Sequence, residues 1–236
     1  MLSLSNGLHM PMKHFTLISL FLCALFSSVV QADVTIGATR VIYPGDAKDA
    51  SITIENTGDE PFLVQSWVQS IADDGQISDA PFMVTPPLFR LNGKQKNVLR
   101  IIRTGGNLAE DRESLFWLDI KSIPSSAPGA TQNKLVLAVK SEFKLIYRPA
   151  SLTQIPEKVT SQLSWQRTGN QLRVNNPTPY YMNFATVSAG GTKIKALRYL
   201  APFSTQSVAL PAGANGPVSW ALINDFGGTG PMHKQP

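Results

Sequence analysis

The sequence predicts an all-β protein made of two immunoglobulin-like β-sandwich domains. Short runs of β-branched and aromatic residues alternate with Gly, Pro, Asn and Asp clusters, giving about seven strand-like runs in the first ~115 residues after position 32. No stretch sustains the three-to-four spacing of apolar residues that marks an amphipathic helix. After Tyr147-Arg148-Pro149 the texture breaks, and the rhythm then resumes through "LSWQRTG", "QLRVNNP", "YYMNFATVSAG", "TKIKALRYL", "STQSVAL" and "VSWALIND". The expected domains are residues 33–149 and 150–236.

Residues 1–32 read as a processing segment. Lys13 is the only Lys or Arg before Ala32, no acid accompanies it, and the apolar run "FTLISLFLCALFSSVV" is followed by the small-residue pattern "VVQA". The run is short of the roughly 20 apolar residues a spanning helix needs, so a signal peptide cleaved after Ala32 is expected. "LFLC" lacks the small residues that precede a lipidated cysteine. Removing 32 of 236 residues leaves 204, takes away Cys23, His9 and His14, and lowers the formal excess from +5 to +4 through Lys13. No disulfide is then available, which a core of this size tolerates. The mature chain is expected outside the cytoplasm.

Within the first domain, "VTIGATRVIYPG" opens as a strand and "ASITIEN" alternates, with Ile52 and Ile54 on one face. "PFLVQSWVQSI" follows the turn "TGDE". "FMVTPPLFRL" carries Pro86 and Pro87; proline cannot donate to a ladder, so the pair marks an edge, a switch between sheets, or a cis bond. "KNVLRIIR" and "ESLFWLDIKSI" come next, the latter with Phe116, Leu118 and Ile120 on one face, and "NLAEDRE" between them offers at most one helical turn. The Pro/Gly/Ser-rich linker "PSSAPGATQ" leads to "NKLVLAVKSEFKLIYRP", residues 133–149, which reads as one long strand. "PASLTQIPEKVTSQ" connects to the second domain, whose closing "FGGTGPMHKQP" is too polar and broken for a core strand. No repeat is visible between the two halves.

The composition argues against several functions. Ser–His–Asp or Cys–His chemistry needs a base, and the mature chain keeps only His233, in a polar tail. No His/Cys cluster offers a metal site, no glycine loop precedes a helix, and Glu110-Asp111 reads as a solvated turn. Neither catalysis, a cofactor, a metal nor a small-molecule substrate is expected. The positive excess has no basic run interleaved with aromatics, so nucleic acid is not expected either.

The 133–149 strand is unusual. It exceeds the common length of roughly 5–6 residues. Its first half alternates Leu135, Leu137 and Val139, while its second half carries Lys140, Glu142, Lys144 and Arg148 before stopping at Pro149. Alternating aliphatics ordinarily pack a domain's own core. Here the order of several segments favours another use.

"NLAEDRESLFWLDIKSIPS", with Arg112-Glu113-Ser114-Leu115 and Ile123-Pro124, resembles the signature of periplasmic pilus (fimbrial) chaperones of the chaperone–usher pathway, the PapD-like family. "TRVIYPG", "TPPLFRL", "FKLIYRP", "NNPTPYYMNF" and "INDFGG" are similar to the same family in the same order, and together they span most of the mature chain. Asp119 departs from the pattern, which usually has Asn or Cys there, and reads as a surface or strand-packing variation. The brief linker between Ile123 and Lys134 resembles the short-loop group, which generally serves rod-like pili with adhesive tips.

The resemblance implies a boomerang of the two domains, a periplasmic location, and pilus subunits and an outer-membrane usher as partners. Such subunits are incomplete sandwiches missing their final strand, and the chaperone supplies one in trans. It implies that Leu135, Leu137 and Val139 form the donor strand; at roughly 1.5–3 kcal/mol for each buried side chain, the three amount to about 5–9 kcal/mol before ordering costs. Val136, Ala138 and Ile146 are then the better candidates for inward packing.

Register must be set, because a one-residue slip turns every side chain over. The resemblance assigns that task to Arg40 and Lys144, anchoring the subunit's C-terminal carboxylate through charge-assisted hydrogen bonds. Lys144 has the opposite parity to the three aliphatics; a bulge, a strong twist or an anchor deep in the cleft would reconcile them. Glu113, Arg148 and Asp225 match an interdomain ion network, a matter of geometry more than stability if it is exposed. Free protein with exposed donor aliphatics also invites edge pairing with itself. The alternative, a structural immunoglobulin-like pilus or surface subunit, would ordinarily show a disulfide, a single incomplete domain and an apolar N-terminal extension, none of which is present.

Overall fold

A computed structural model describes residues 33–72, 75–125 and 136–235. The expected signal peptide, most of the linker, and Leu135 lie outside the described residues. The first sandwich comprises β1 (Val34–Ile36), β2 (Arg40–Pro44), β3 (Ala50–Asn56), β4 (Phe62–Ile71), β5 (Ile77–Asp79), β6 (Phe82–Thr85), β7 (Leu88–Leu91), β8 (Lys96–Arg103), β9 (Ser114–Pro124) and β10 (Val139–Arg148). One sheet has the order β1-β3-β8-β6, and the other β2-β10-β9-β4-β5, with β7 also on β4. Alternate side chains meet between the sheets: Ile54, Val64, Leu99, Ile101, Leu118 and Leu145 are completely buried there. Each such side chain contributes about 1.5–3 kcal/mol, which explains why the period-two pattern dictates the sandwich.

The second sandwich follows a single-turn helix, α1 (Pro156–Val159), and a 3₁₀ turn over Thr160–Gln162. Its strands are β11 (Ser164–Thr168), β12 (Gln171–Asn176), β13 (Met182–Ala189), β14 (Thr192–Lys193), β15 (Tyr199–Leu200), β16 (Ser204–Ala209), β17 (Val218–Ile223) and β18 (Thr229–Lys234). They form a β11-β12-β16 sheet and a β14-β13-β17-β18 sheet, with β15 also on β13. Leu172, Val174, Met182 and Leu222 fill the core beside Trp165 and Trp220, whose ring centroids are 5.2 Å apart.

Several expectations need correction. "VTIGATRVIYPG" is not one strand: β1 pairs with β3 in one sheet and β2 with β10 in the other, so the chain changes sheets between them. At "FMVTPPLFRL" the expected signs do occur: the Thr85–Pro86 bond is cis and the chain switches sheets there, β6 joining β8 and β7 joining β4. "NLAEDRE" has no helical turn, whereas α1, absent from the expectations, starts on Pro156, where a missing N–H costs nothing. β10 begins at Val139 rather than Asn133 among the described residues. The polar C-terminus does form a strand, β18, but as an exposed edge against β17. An edge strand buries little, so polarity did not forbid it.

The two halves share a device that the sequence hid. β3 ends on Asn56 and β12 on Asn176, both fully buried. Asn56 Nδ2 donates to the carbonyls of Glu60 (2.7 Å) and Leu91 (3.3 Å), and its Oδ1 accepts from the Gly58 amide (3.0 Å). Asn176 Nδ2 donates to the carbonyls of Tyr180 (2.8 Å) and Ala201 (2.9 Å), while its Oδ1 accepts from the Thr178 amide (3.1 Å) and hydroxyl (2.7 Å). Each side chain thus satisfies buried backbone groups that no ladder reaches. Replacing Asn176 with Ala should leave those groups unpaired and destabilise the protein by about 2–4 kcal/mol, read from urea denaturation.

Candidate functional site

The site is organised by the two faces of β10. On one face Leu145 and Tyr147 are buried in the first core and Phe143 is partly buried, but Val139 is 58% exposed. Leu137, just before the strand, is 66% exposed. The core-facing parity therefore continues past the end of the sandwich, carrying aliphatic side chains into solvent. Val136 and Ala138, expected to pack inward, are exposed as well; they precede β10, whose core-facing side chains are the odd-numbered Leu145 and Tyr147. Ile146 is buried, though on the opposite face, shared with Lys144 and Arg148.

β10 is antiparallel to β9 from Val139 to Tyr147, without a register shift. Its pairing with β2 is parallel and covers only Lys144 to Arg148. Among the described residues, 139–143 therefore present a free strand edge next to the exposed aliphatics. Such an edge, with backbone donors and acceptors unpaired, can accept a further strand.

That free edge ends at two cations. Lys144 and Arg40 are register partners across β10 and β2, so their side chains leave the sheet on the same side. Lys144 Nζ donates to Asn183 Oδ1 (2.5 Å) and lies 4.1 Å from the centroid of the Tyr199 ring. Arg40 is buried; Nη1 donates to the Ile223 carbonyl at 3.3 Å, while Nε has no hydrogen-bond partner. Among the described residues neither cation has a carboxylate at ion-pair distance. Burial, then repulsion from Arg40 and Arg198, lowers the Lys144 pKa to about 8. Desolvation also depresses Arg40, opposed by Asp225 and Glu157. The arrangement is a pair of partly desolvated cations with no carboxylate in direct contact, chemically suited to an anion. No bulge separates Val139 from Lys144: they use opposite faces of β10, whose register on β9 is continuous between them.

The structure brings Glu113, Arg148 and Asp225 together at the end of β10. Arg148 Nε donates to Glu113 Oε1 at 2.6 Å, and its two terminal nitrogens donate to Asp225 at 2.7 and 2.9 Å. Glu113 Oε2 accepts from the Tyr181 amide at 2.7 Å, and the Glu113 amide donates to the Pro179 carbonyl at 2.9 Å. The side chains of Glu113 and Arg148 are 0% and 12% exposed, so the weak-surface-pair estimate does not apply. Burial raises the Glu113 pKa against the opposing effects of Arg148 and the Tyr181 amide. Burial works against the charge of Arg148 too, but its two carboxylates outweigh that and raise its pKa.

Asp225 is presented by the tight loop of "INDFGG". Asn224 Oδ1 accepts from the Phe226 and Gly228 amides, and Gly227 has φ +86°. A Cβ on Gly227 would lie 2.2 Å from Thr39 Oγ1, beside Arg40, so only glycine lets this loop approach so closely. Sequence reasoning missed Asn176, Tyr181, Asn183 and Tyr199. All but Tyr199 lie in "NNPTPYYMNF", where a polar run directly ahead of a strand was the available signal.

Arg148→Met would strand Glu113 as a buried charge. A loss of about 3–5 kcal/mol is expected at pH 7. In the variant the Glu113 pKa rises further, so the loss shrinks as pH falls through it and the carboxyl becomes neutral. Urea denaturation at pH 7 and pH 5 reads both effects.

Comparison with known proteins identifies the family. Residues 33–153 match the PapD N-terminal domain of pili and flagellar-assembly chaperones, and residues 158–234 match the C-terminal domain of the pili assembly chaperone PapD. Chaperone protein FimC of Escherichia coli K12 is 39% identical over 217 residues, covering 91% of this chain and 88% of FimC. Chaperone protein AfaB of Escherichia coli is 44% identical over 191 residues, covering 75% and 76%. Among solved structures, a chain of the Salmonella enterica SafA pilin–SafB chaperone complex has a TM-score of 0.79 at 44% identity, covering 88% of this chain and 98% of that one. The Escherichia coli chaperone DraB gives 0.76 at 44% identity, covering 86% and 95%. This chain belongs to the PapD-like family of pilus-assembly chaperones.

Proposed function

We propose that this protein works in the periplasm, after removal of residues 1–32, as a chaperone that captures pilus subunits by donor-strand complementation and passes them to an outer-membrane usher. The observation that carries the proposal is the combination of a free edge on β10, the exposed side chains of Leu137 and Val139 at its outer end, and the Arg40–Lys144 cation pair, without a carboxylate in direct contact, at the inner end of that edge. The named relatives are chaperones, and one solved neighbour contains a pilin. No catalytic step is needed. The one histidine after residue 32, His233, stacks on Trp220 with ring centroids 5.8 Å apart.

In this reading a subunit lacking its last strand pairs its backbone with residues 139–143. Leu135, Leu137 and Val139 enter its groove, and its terminal carboxylate docks on Arg40 and Lys144. The carboxylate sets register and offsets the cost of holding two cations side by side. A groove filled only in part leaves free energy for exchange with the next subunit at the usher. Arg148, held by Glu113 and Asp225, keeps the two sandwiches in the arrangement that shapes the anchor.

Leu137→Ser and Val139→Ser should each weaken subunit capture by about 1.5–3 kcal/mol without lowering the Tm of the free protein, because both side chains are already exposed. Normal capture by the double variant in a co-expression pull-down would refute donor-strand use. Binding should also depend on pH with a definite sign. The carboxylate binds protonated Lys144, whose pKa is about 8 in the free protein. Affinity should be flat below pH 8 and fall by up to about tenfold per unit above it. Lys144→Arg should abolish that decline, and Arg40→Ala with Lys144→Ala should abolish capture.

A further inference from the structure

Asp119 has no part in the assignments above, yet its surroundings are distinctive. It lies on β9 directly opposite Glu142 of β10 and Trp67 of β4, on the face that also bears Lys144. Its carboxyl is fully covered, and neither oxygen has a hydrogen-bond partner. Lys140 Nζ lies 3.2 Å from Asp119 Oδ1 and 2.6 Å from Glu142 Oε1, bridging the two carboxylates. Lys140 and Glu142 are themselves exposed, so this is a shallow charge cluster built over one covered acid.

The cluster occupies the part of β10 that other contacts neglect. From Phe143 to Tyr147 the strand is held by the first core, by β2, and through Lys144 and Arg148 by the second sandwich. Residues 139–142 have neither β2 beside them nor core beneath Val139. Among the described residues, the polar contacts there besides the β9 ladder are a 3.4 Å hydrogen bond from the Ser122 hydroxyl to the Val139 carbonyl and the three charges.

We infer that Asp119, Lys140 and Glu142 form a clasp that holds the outer half of β10 on β9, making Asp119 a positioning residue for the donor segment. The inference rests on the donor-strand reading. A carboxylate at position 119 is a poor choice for stability alone. Burial raises its pKa, and the Glu142 charge adds to that against the help of Lys140. A neutral amide of the same shape would avoid that cost. The amide could still accept from the ammonium of the facing strand, but without the charge it would hold it more weakly. The clasp keeps residues 139–142 extended and in register before a client arrives, so less ordering remains to be done on binding.

Hydrogen exchange on the free mature protein tests this without any client. Asp119→Asn and Lys140→Met should each speed exchange of those amides of residues 140–143 that are bonded to β9 by about fivefold to tenfold, leaving the β9-bonded amides from Leu145 to Tyr147 unchanged. The double variant should exchange no faster than either single one, and Lys140→Arg should behave as the parent. Raising NaCl to 1 M should reproduce part of the effect. The Tm of Asp119→Asn should stay level or rise, and its rate of capture of a co-expressed subunit should fall. Unchanged exchange at 140–143, a lowered Tm with faster exchange throughout β3 and β8, or faster local exchange with unaltered capture would each overturn the clasp. Failure of the donor-strand reading has a separate signature, normal capture by the Leu137→Ser, Val139→Ser double variant.

Discussion

The structure depends first on Arg148 lying between two carboxylates. A guanidinium offers several donors in one plane, so it can hold Glu113 along one edge and Asp225 along another. Glu113 also binds the 179–181 turn of the second sandwich through its main chain and its side chain. One residue at the end of β10 therefore ties together β9, β10 and two loops of the second sandwich. Because Glu113 is fully buried, the network tolerates no vacancy: each charge is acceptable only while the others are present.

With that end fixed, β10 can serve two purposes at once. A β-strand shows alternate residues to opposite faces, and here the faces are assigned to different tasks. One face builds the first core through Leu145 and Tyr147, then runs beyond it to Leu137 and Val139. The other carries Arg148, Ile146 and Lys144, then the Lys140–Glu142 pair over Asp119. The strand is thus most tightly held at its inner end, between two sandwiches, and least at its outer end, where β2 and the core no longer accompany it.

The second sandwich supplies positions as well as bulk. Asn176 fixes the 177–181 turn, and that turn places the Tyr181 amide on Glu113. Asn183 and Tyr199, neighbours on β13 and β15, receive the Lys144 ammonium. Gly227 lets the Asp225 loop close against Thr39. The cationic pocket is therefore composite. Arg40 and Lys144 come from the first sandwich, while the groups that orient and partly neutralise them come from the second.

Period-two alternation determined the all-β class, the two-domain division and the core residues Ile52, Ile54, Phe116, Leu118 and Ile120, because a half-buried strand can satisfy its backbone and bury apolar surface in only one way. Ordered segments such as "RESLF" and "FKLIYRP" made the family legible. Alternation and spacing did not contain the proximity of Arg40 to Lys144, more than a hundred residues away, or of Glu113 to Asp225; only the resemblance to the family grouped them. Parallel pairing of β2 with β10 and the approach of the two sandwiches created both. Nor did alternation and spacing contain where the core stops beneath β10, or that Asp119 is covered while Lys140 and Glu142 beside it are exposed. Alternation tells which side a residue faces. Whether anything stands opposite is decided by the packing of segments distant in the chain, and solvation of a charge depends on that neighbour.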